Sequence, residues 1–129
     1  MTGEPLVILL VEDNPDHAEL VLRSLADFQV VNRVVHVEDG EAALEYLHGR
    51  GAYTERDAFP MPHLMLLDLR LPKVDGLQVL KEVKESAKLR PLPVVILTTS
   101  EAERDLAMAY EFHANSYLTK PVDLIDFSK

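Results

Sequence analysis

Cysteine and tryptophan are both absent from this chain of 129 residues. Without thiols there is no disulfide, no thiolate zinc site and no cysteine nucleophile, so the fold must rest on packing alone. Long apolar runs are missing too. No stretch approaches the roughly 20 residues that a bilayer span needs, and Met1 to Pro5 lacks the basic and apolar regions of a secretion signal. A cytoplasmic protein without membrane attachment is expected. Basic residues are scarce: 13 Lys and Arg stand against 22 Asp and Glu, a net charge of −9. Such a surface repels a phosphate backbone and disfavours nucleic acid as a partner. The histidines, His17, His36, His48, His63 and His113, show no close zinc-like spacing and read as partly exposed polar side chains.

Apolar residues make up 47% of the chain, enough for one core, and the length leaves no room for a second. A single domain over 1–129 is expected. Short apolar runs alternate with amphipathic stretches, the pattern of βα units in a parallel sheet. Five units are legible. Leu6 to Val11 reads as a buried central strand. Asn14 and Pro15 then open a helix as N-cap and first helical residue, with Ala18, Val21, Leu22 and Leu25 on one apolar face.

Arg33 to Val37 forms a half-polar strand at a sheet edge, followed by a helix opened by Asp39-Gly40 with Ala43, Leu44 and Leu47 inward. Gly49 to Pro62, with an exposed Tyr53, reads as a long surface loop. His63 to Leu67 is the third strand and ends at Asp68. Pro72 and Gly76 punctuate the loop before a helix carrying Leu77, Leu80, Val83 and Ala87. Pro93 to Leu97 is the fourth strand. Ser100 with Glu103 has capping-box spacing for a helix through His113. Asn115 to Thr119 is the fifth strand, and the residues after Lys120-Pro121 begin a last helix that is cut short after about residue 126.

In an open parallel sheet, ligands bind in the crevice at the carboxyl ends of the strands. The first reactive residues after the apolar runs are Glu12 and Asp13, then Asp68, Thr98 and Lys120. An acid after a strand is usually a solvated loop acid. Three of them on one edge repel one another unless a cation lies among them. All-oxygen donors with open geometry suit Mg²⁺. Asp13 and Asp68 are the expected direct ligands, the Arg70 carbonyl a third, and Glu12 an outer partner through water.

With Lys120 on the other side, positive charge gathers where a phosphoryl group would bind, as phosphoryl transfer requires. Asp68 is then the nucleophile and Thr98 a hydroxyl for a phosphoryl oxygen. Pro121 can take a cis bond that would aim the lysine inward. Arg70 and Ser100 flank the site and would govern how water reaches the aspartyl phosphate.

These residues resemble the receiver domain of two-component response regulators. The resemblance is carried by Val11-Glu12-Asp13-Asn14, Leu67-Asp68-Leu69-Arg70-Leu71-Pro72 with Gly76, Leu97-Thr98-Thr99-Ser100, Tyr117 and Lys120-Pro121, and it spans Leu6 to about Asp126. It implies a doubly wound, flavodoxin-like α/β fold: a five-stranded parallel sheet of order 2-1-3-4-5 with helices on both faces. It also implies that Glu12 and Asp13 are the acidic pair, Asp68 the phosphoacceptor, Thr98 with Thr99 the phosphoryl-binding hydroxyl run, Tyr117 the switch aromatic and Lys120 the site lysine.

The loop Gly49 to Pro62, Thr98-Thr99-Ser100 and Ala114-Asn115-Ser116-Tyr117 look similar to phytochrome-associated single-domain regulators. That implies a sensor histidine kinase, of bacterial phytochrome type, as phosphodonor. It also implies a homodimer through the face of the fourth helix, fifth strand and fifth helix. The expected output is a phosphorylation-dependent change of a partner-binding face rather than enzymatic turnover beyond self-phosphorylation and slow self-dephosphorylation. Three rival readings have less support. A metal-dependent phosphatase would want a second acid where Arg70 stands. A nucleotide or flavin carrier would want glycine after the first strand. A receiver used only for binding would not need its site positions filled.

Overall fold

Five short, β-branched or leucine-rich runs become parallel strands because each is flanked by residues that stop a helix from spreading into it. The computed structural model describes residues 6–27, 32–69, 71–98 and 116–119. The strands are β1 (Leu6–Val11), β2 (Asn32–Val37), β3 (Leu64–Asp68), β4 (Val94–Thr98) and β5 (Ser116–Thr119), in the order β2-β1-β3-β4-β5. All four neighbouring pairs are parallel. The expected order and the edge position of β2 are therefore both found.

Three helices are described: α1 (Pro15–Ala26), α2 (Gly40–His48) and α3 (Gly76–Glu85). The segments expected to form a fourth helix and a last, shortened helix lie outside the described residues, as do Arg70, Thr99, Lys120 and Pro121. No described helix is long and apolar enough to cross a membrane.

Alternation along the strands sorts the core into two layers, because successive side chains leave a strand on opposite faces. Ile8, Leu10, Leu66 and Leu97 meet α1 through Ala18, Val21 and Leu25 on one face. Leu9, Val11, Met65, Leu67 and Ile96 meet α2 and α3 on the other, through Leu44, Leu47, Val79, Leu80 and Val83. Helices thus cover both faces. Two expectations about helix faces need correction. Leu22 remains 38% exposed, because at one residue past Val21 it turns away from the buried stripe. Ala87 lies beyond the end of α3 and is exposed, since the helix stops at Glu85 before the apolar period reaches it.

The long connection after α2 is also more ordered than its composition suggests. It contains a 3-10 turn at Gly51–Tyr53, and Tyr53 is half-buried rather than exposed. Tyr46, fully buried, gathers the loop around its ring. Tyr53 and Phe59 pack at centroid distances of 5.1 and 6.1 Å from it, and the Arg56 guanidinium lies 5.7 Å from the ring centre. The Tyr46 hydroxyl donates to the Pro60 carbonyl at 2.7 Å, while Arg56 donates to the Tyr46 carbonyl at 2.7 Å and so satisfies the end of α2. Opposite the carboxyl edge, His63 closes the ladder between β1 and β3: its N–H donates to the Val7 carbonyl at 2.7 Å and its Nδ1 accepts from the Val7 N–H at 2.9 Å.

Burial pushes the Tyr46 phenol above its ordinary value of 10.0, opposed by the charges of Arg33 and Arg56 and reinforced by Tyr53. The folded protein therefore holds this proton more tightly than the unfolded chain. The stability it contributes is complete below pH 10 and is lost as pH rises through the raised folded value. Tyr46→Phe is expected to cost about 1 kcal/mol at neutral pH through the lost hydrogen bond to Pro60. Urea titrations between pH 7 and 11 should show a shallower alkaline decline in the variant than in the parent protein.

Candidate phosphoryl-acceptor site

Parallel register brings the ends of β1, β3 and β4 to one edge. Val11 pairs with Leu67, and Asp68 pairs with Leu97. Glu12, one step past β1, therefore comes beside Asp68, the last residue of β3. Ligand oxygens of Glu12, Asp13 and Asp68 all lie within 4.8 Å of one another. Glu12 is fully buried and Asp68 is 5% exposed, whereas Asp13 is open to solvent.

The turn that carries the two acids of β1 is held by its own polar groups. The Glu12 N–H donates to the Val37 carbonyl at 3.1 Å, and one Glu12 carboxylate oxygen accepts from the Asn14 N–H at 3.2 Å. Asn14 in turn accepts from the N–H groups of Asp16 and His17 at 2.9 and 3.2 Å, which caps α1 as its place before Pro15 predicts. A contact that sequence reasoning missed comes from β2: His36 Nε2 lies 2.7 Å from the Glu12 carbonyl oxygen. A lone histidine in a half-polar strand carries no pattern by which it could have been found.

Beneath Asp68, glycine is required for close approach. A Cβ on Gly76 would lie 2.3 Å from the Asp68 carbonyl oxygen, and one on Gly40 would lie 1.8 Å from the Val74 carbonyl oxygen. The loop between β3 and α3 is thus clamped between the start of α3 and the start of α2. Gly76 N–H also donates to the Leu69 carbonyl at 3.0 Å. Asp75 caps α3, accepting from Leu77 and Gln78 N–H at 2.8 and 3.3 Å. In the same loop Pro72 is exposed, and Lys73 takes a left-handed backbone at φ 66°, its ammonium 3.8 Å from Asp39 and 3.9 Å from Glu41. These exposed pairs contribute little energy.

The backbone puts Thr98 at the carboxyl end of β4, opposite Thr119 of β5, and Tyr117 beside Ile96. Thr98 therefore stands on the strand next to Asp68, at the same edge, and β5 ends one residue before Lys120. The fit to a cation can be judged from the donor set. Three carboxylates, two of them buried, offer only hard oxygen donors, which suit a divalent ion such as Mg²⁺ or Mn²⁺ better than a soft one.

Comparison with known proteins agrees with this geometry. A family model of the response regulator receiver domain matches residues 8–129. The probable methanogenesis regulatory protein FilR2 of Methanothrix harundinacea is 46% identical over 126 residues, spanning 98% of this chain and 79% of that protein. The response regulator Rcp1 of a Synechocystis strain is 44% identical over 128 residues, spanning 99% of this chain and 85% of Rcp1. The solved Mn²⁺-bound form of Rcp1 superposes with a TM-score of 0.86 at 42% identity, covering 96% of this chain and 89% of that one. The phosphorylated cyanobacterial phytochrome response regulator RcpA gives a TM-score of 0.86 at 41% identity, covering 97% and 87%.

Gly76→Ala is expected to destabilise the protein by about 1–3 kcal/mol, because backbone must move to admit the methyl. Gln78→Ala, on the exposed side of the same helix, should stay within about 0.5 kcal/mol of the parent. Urea midpoints of the two variants check the contrast.

Proposed function

The chain belongs to the response regulator receiver domain family, whose members are phosphorylation-dependent switches of two-component signalling, and on that premise we propose that Asp68 is its phosphoacceptor. The observation that carries this reading is the carboxylate trio at the sheet edge: Asp68, almost buried, with oxygens of Glu12 and Asp13 within 4.8 Å.

Asp13, Asp68 and the Arg70 carbonyl would hold Mg²⁺, with Glu12 reaching it through water. Bound there, the ion supplies charge neutralisation for the phosphoryl oxygens. An Asp68 carboxylate oxygen attacks phosphorus in line. The bond between phosphorus and the donor histidine nitrogen breaks, and the imidazole leaves with the electron pair and is reprotonated by solvent. Thr98 and Thr99 donate hydroxyl hydrogen bonds to the phosphoryl oxygens, and Lys120, followed by Pro121, pairs with their charge. Pro72 and Gly76 shape the loop that presents Asp68. Hydrolysis of the acyl phosphate by water resets the switch, so the chain phosphorylates and slowly dephosphorylates itself without acting on other substrates.

The phosphodonor in this reading is a sensor histidine kinase of the phytochrome class, supported by the likeness to RcpA. Phosphorylation adds charge and acceptor oxygens that favour one of two conformations. Thr98 moves toward the phosphoryl group and Tyr117 turns into the space it leaves. The altered face of the fourth helix, fifth strand and fifth helix then meets a second copy of the chain or another partner in the cytoplasm.

Incubation with acetyl phosphate, followed by intact mass measurement, tests the acceptor. One phosphoryl adduct is expected in the presence of Mg²⁺, with none after chelation and none in Asp68→Asn. An adduct that persists in Asp68→Asn would overturn the assignment. Mg²⁺ should also raise the melting temperature of the parent protein by mass action on the folded state, and this rise should vanish in Asp13→Asn, as differential scanning fluorimetry can show.

A further inference from the structure

β2 ends at Val37 and bends at Glu38 and Asp39, just where β1 runs on into its two acids. At that point a side chain of β2 supplies a donor to the β1 backbone. His36 Nε2 lies 2.7 Å from the carbonyl oxygen of Glu12. A carbonyl oxygen only accepts, so the ring must carry its proton on Nε2.

The group held in this way is the peptide between Glu12 and Asp13. Its tilt sets the direction in which the Asp13 carboxylate leaves the backbone. Upstream, the Glu12 N–H is fixed by the Val37 carbonyl, and downstream the Asn14 N–H is fixed by the Glu12 carboxylate. Asp13 itself is exposed, so packing does not orient it, and the anchored peptides on either side must do so.

We propose that His36 is a positioning residue for the cation site, orienting the peptide between Glu12 and Asp13 so that the Asp13 carboxylate meets those of Glu12 and Asp68. The role rests on reading that trio as a divalent cation site. His36 acts through the Glu12 carbonyl and does not touch the ion.

Loss of free Mn²⁺ signal in electron paramagnetic resonance measures binding by the intact chain without reference to phosphorylation. Four proteins are compared: the parent, Asp13→Asn, His36→Leu and His36→Gln. Glutamine can bring an amide N–H to the place of Nε2, and leucine cannot. Asp13→Asn should abolish tight binding. His36→Leu should weaken it about five- to tenfold, the scale of one hydrogen bond, and His36→Gln should restore it to within about twofold.

If His36→Leu fails to fold, His36→Phe keeps a flat ring without the donor and replaces it. Binding that depends on Asp13 but is equal in the parent and His36→Leu would overturn the positioning role alone. A loss in His36→Leu that glutamine does not restore would also overturn it, pointing instead to the ring as a ligand or charge. Parent binding indifferent to Asp13→Asn would overturn the cation site and this role together.

Discussion

Two carboxylates, Glu12 and Asp68, are the buried charged side chains among the described residues, at the carboxyl end of a sheet packed on apolar layers. Burying charge is costly unless it is paired, hydrogen-bonded or met by a cation. The surrounding structure follows from that requirement. The turn after β1 bends back to give Glu12 a backbone N–H, β2 sends a ring to the Glu12 carbonyl, and α3 begins directly against the Asp68 carbonyl. The apolar layers on the two faces hold these strand ends in register. The sheet is thus a frame that brings three carboxylates together at one edge.

Much of this was legible from the chain itself. Strand ends carry the reactive residues in any parallel sheet, so the five apolar runs alone pointed to Glu12, Asp13, Asp68 and Thr98. Asn14 before Pro15 announced α1 correctly, because both residues act through their own local chemistry. Features set by distant partners were harder to see. Tyr53 looked exposed because its loop is polar, yet it packs on Tyr46 and Phe59. Leu22 looked buried because leucine at that spacing usually is, but the stripe on α1 is narrow. Neither histidine with a backbone partner, His36 or His63, stood out, since a single hydrogen bond across the sheet leaves no periodic trace.

The two ends of the sheet are built from different interactions. At the amino edge, His63 and Val7 exchange two hydrogen bonds and Lys84 donates to the Arg90 and Leu92 carbonyls at 3.4 and 3.3 Å, closing the connection into β4. At the carboxyl edge the chain runs through bends and polar turns, with Lys73 held in a left-handed conformation. The amino edge is thus tied by hydrogen bonds to backbone carbonyls, while the carboxyl edge gathers the carboxylates of Glu12, Asp13 and Asp68.

The glycines at 40 and 76 carry a further consequence. Each is defined by an absent carbon, and each places a helix start directly against a carbonyl of the segment from Asp68 to Val74. Neither carries a reactive side chain, yet both set how closely the loop after Asp68 packs against the helices. Room for substitution is thereby narrowed at two positions that have no reactive atoms at all, and an engineer altering this edge would find less latitude in these bare hydrogens than in the exposed charged residues nearby.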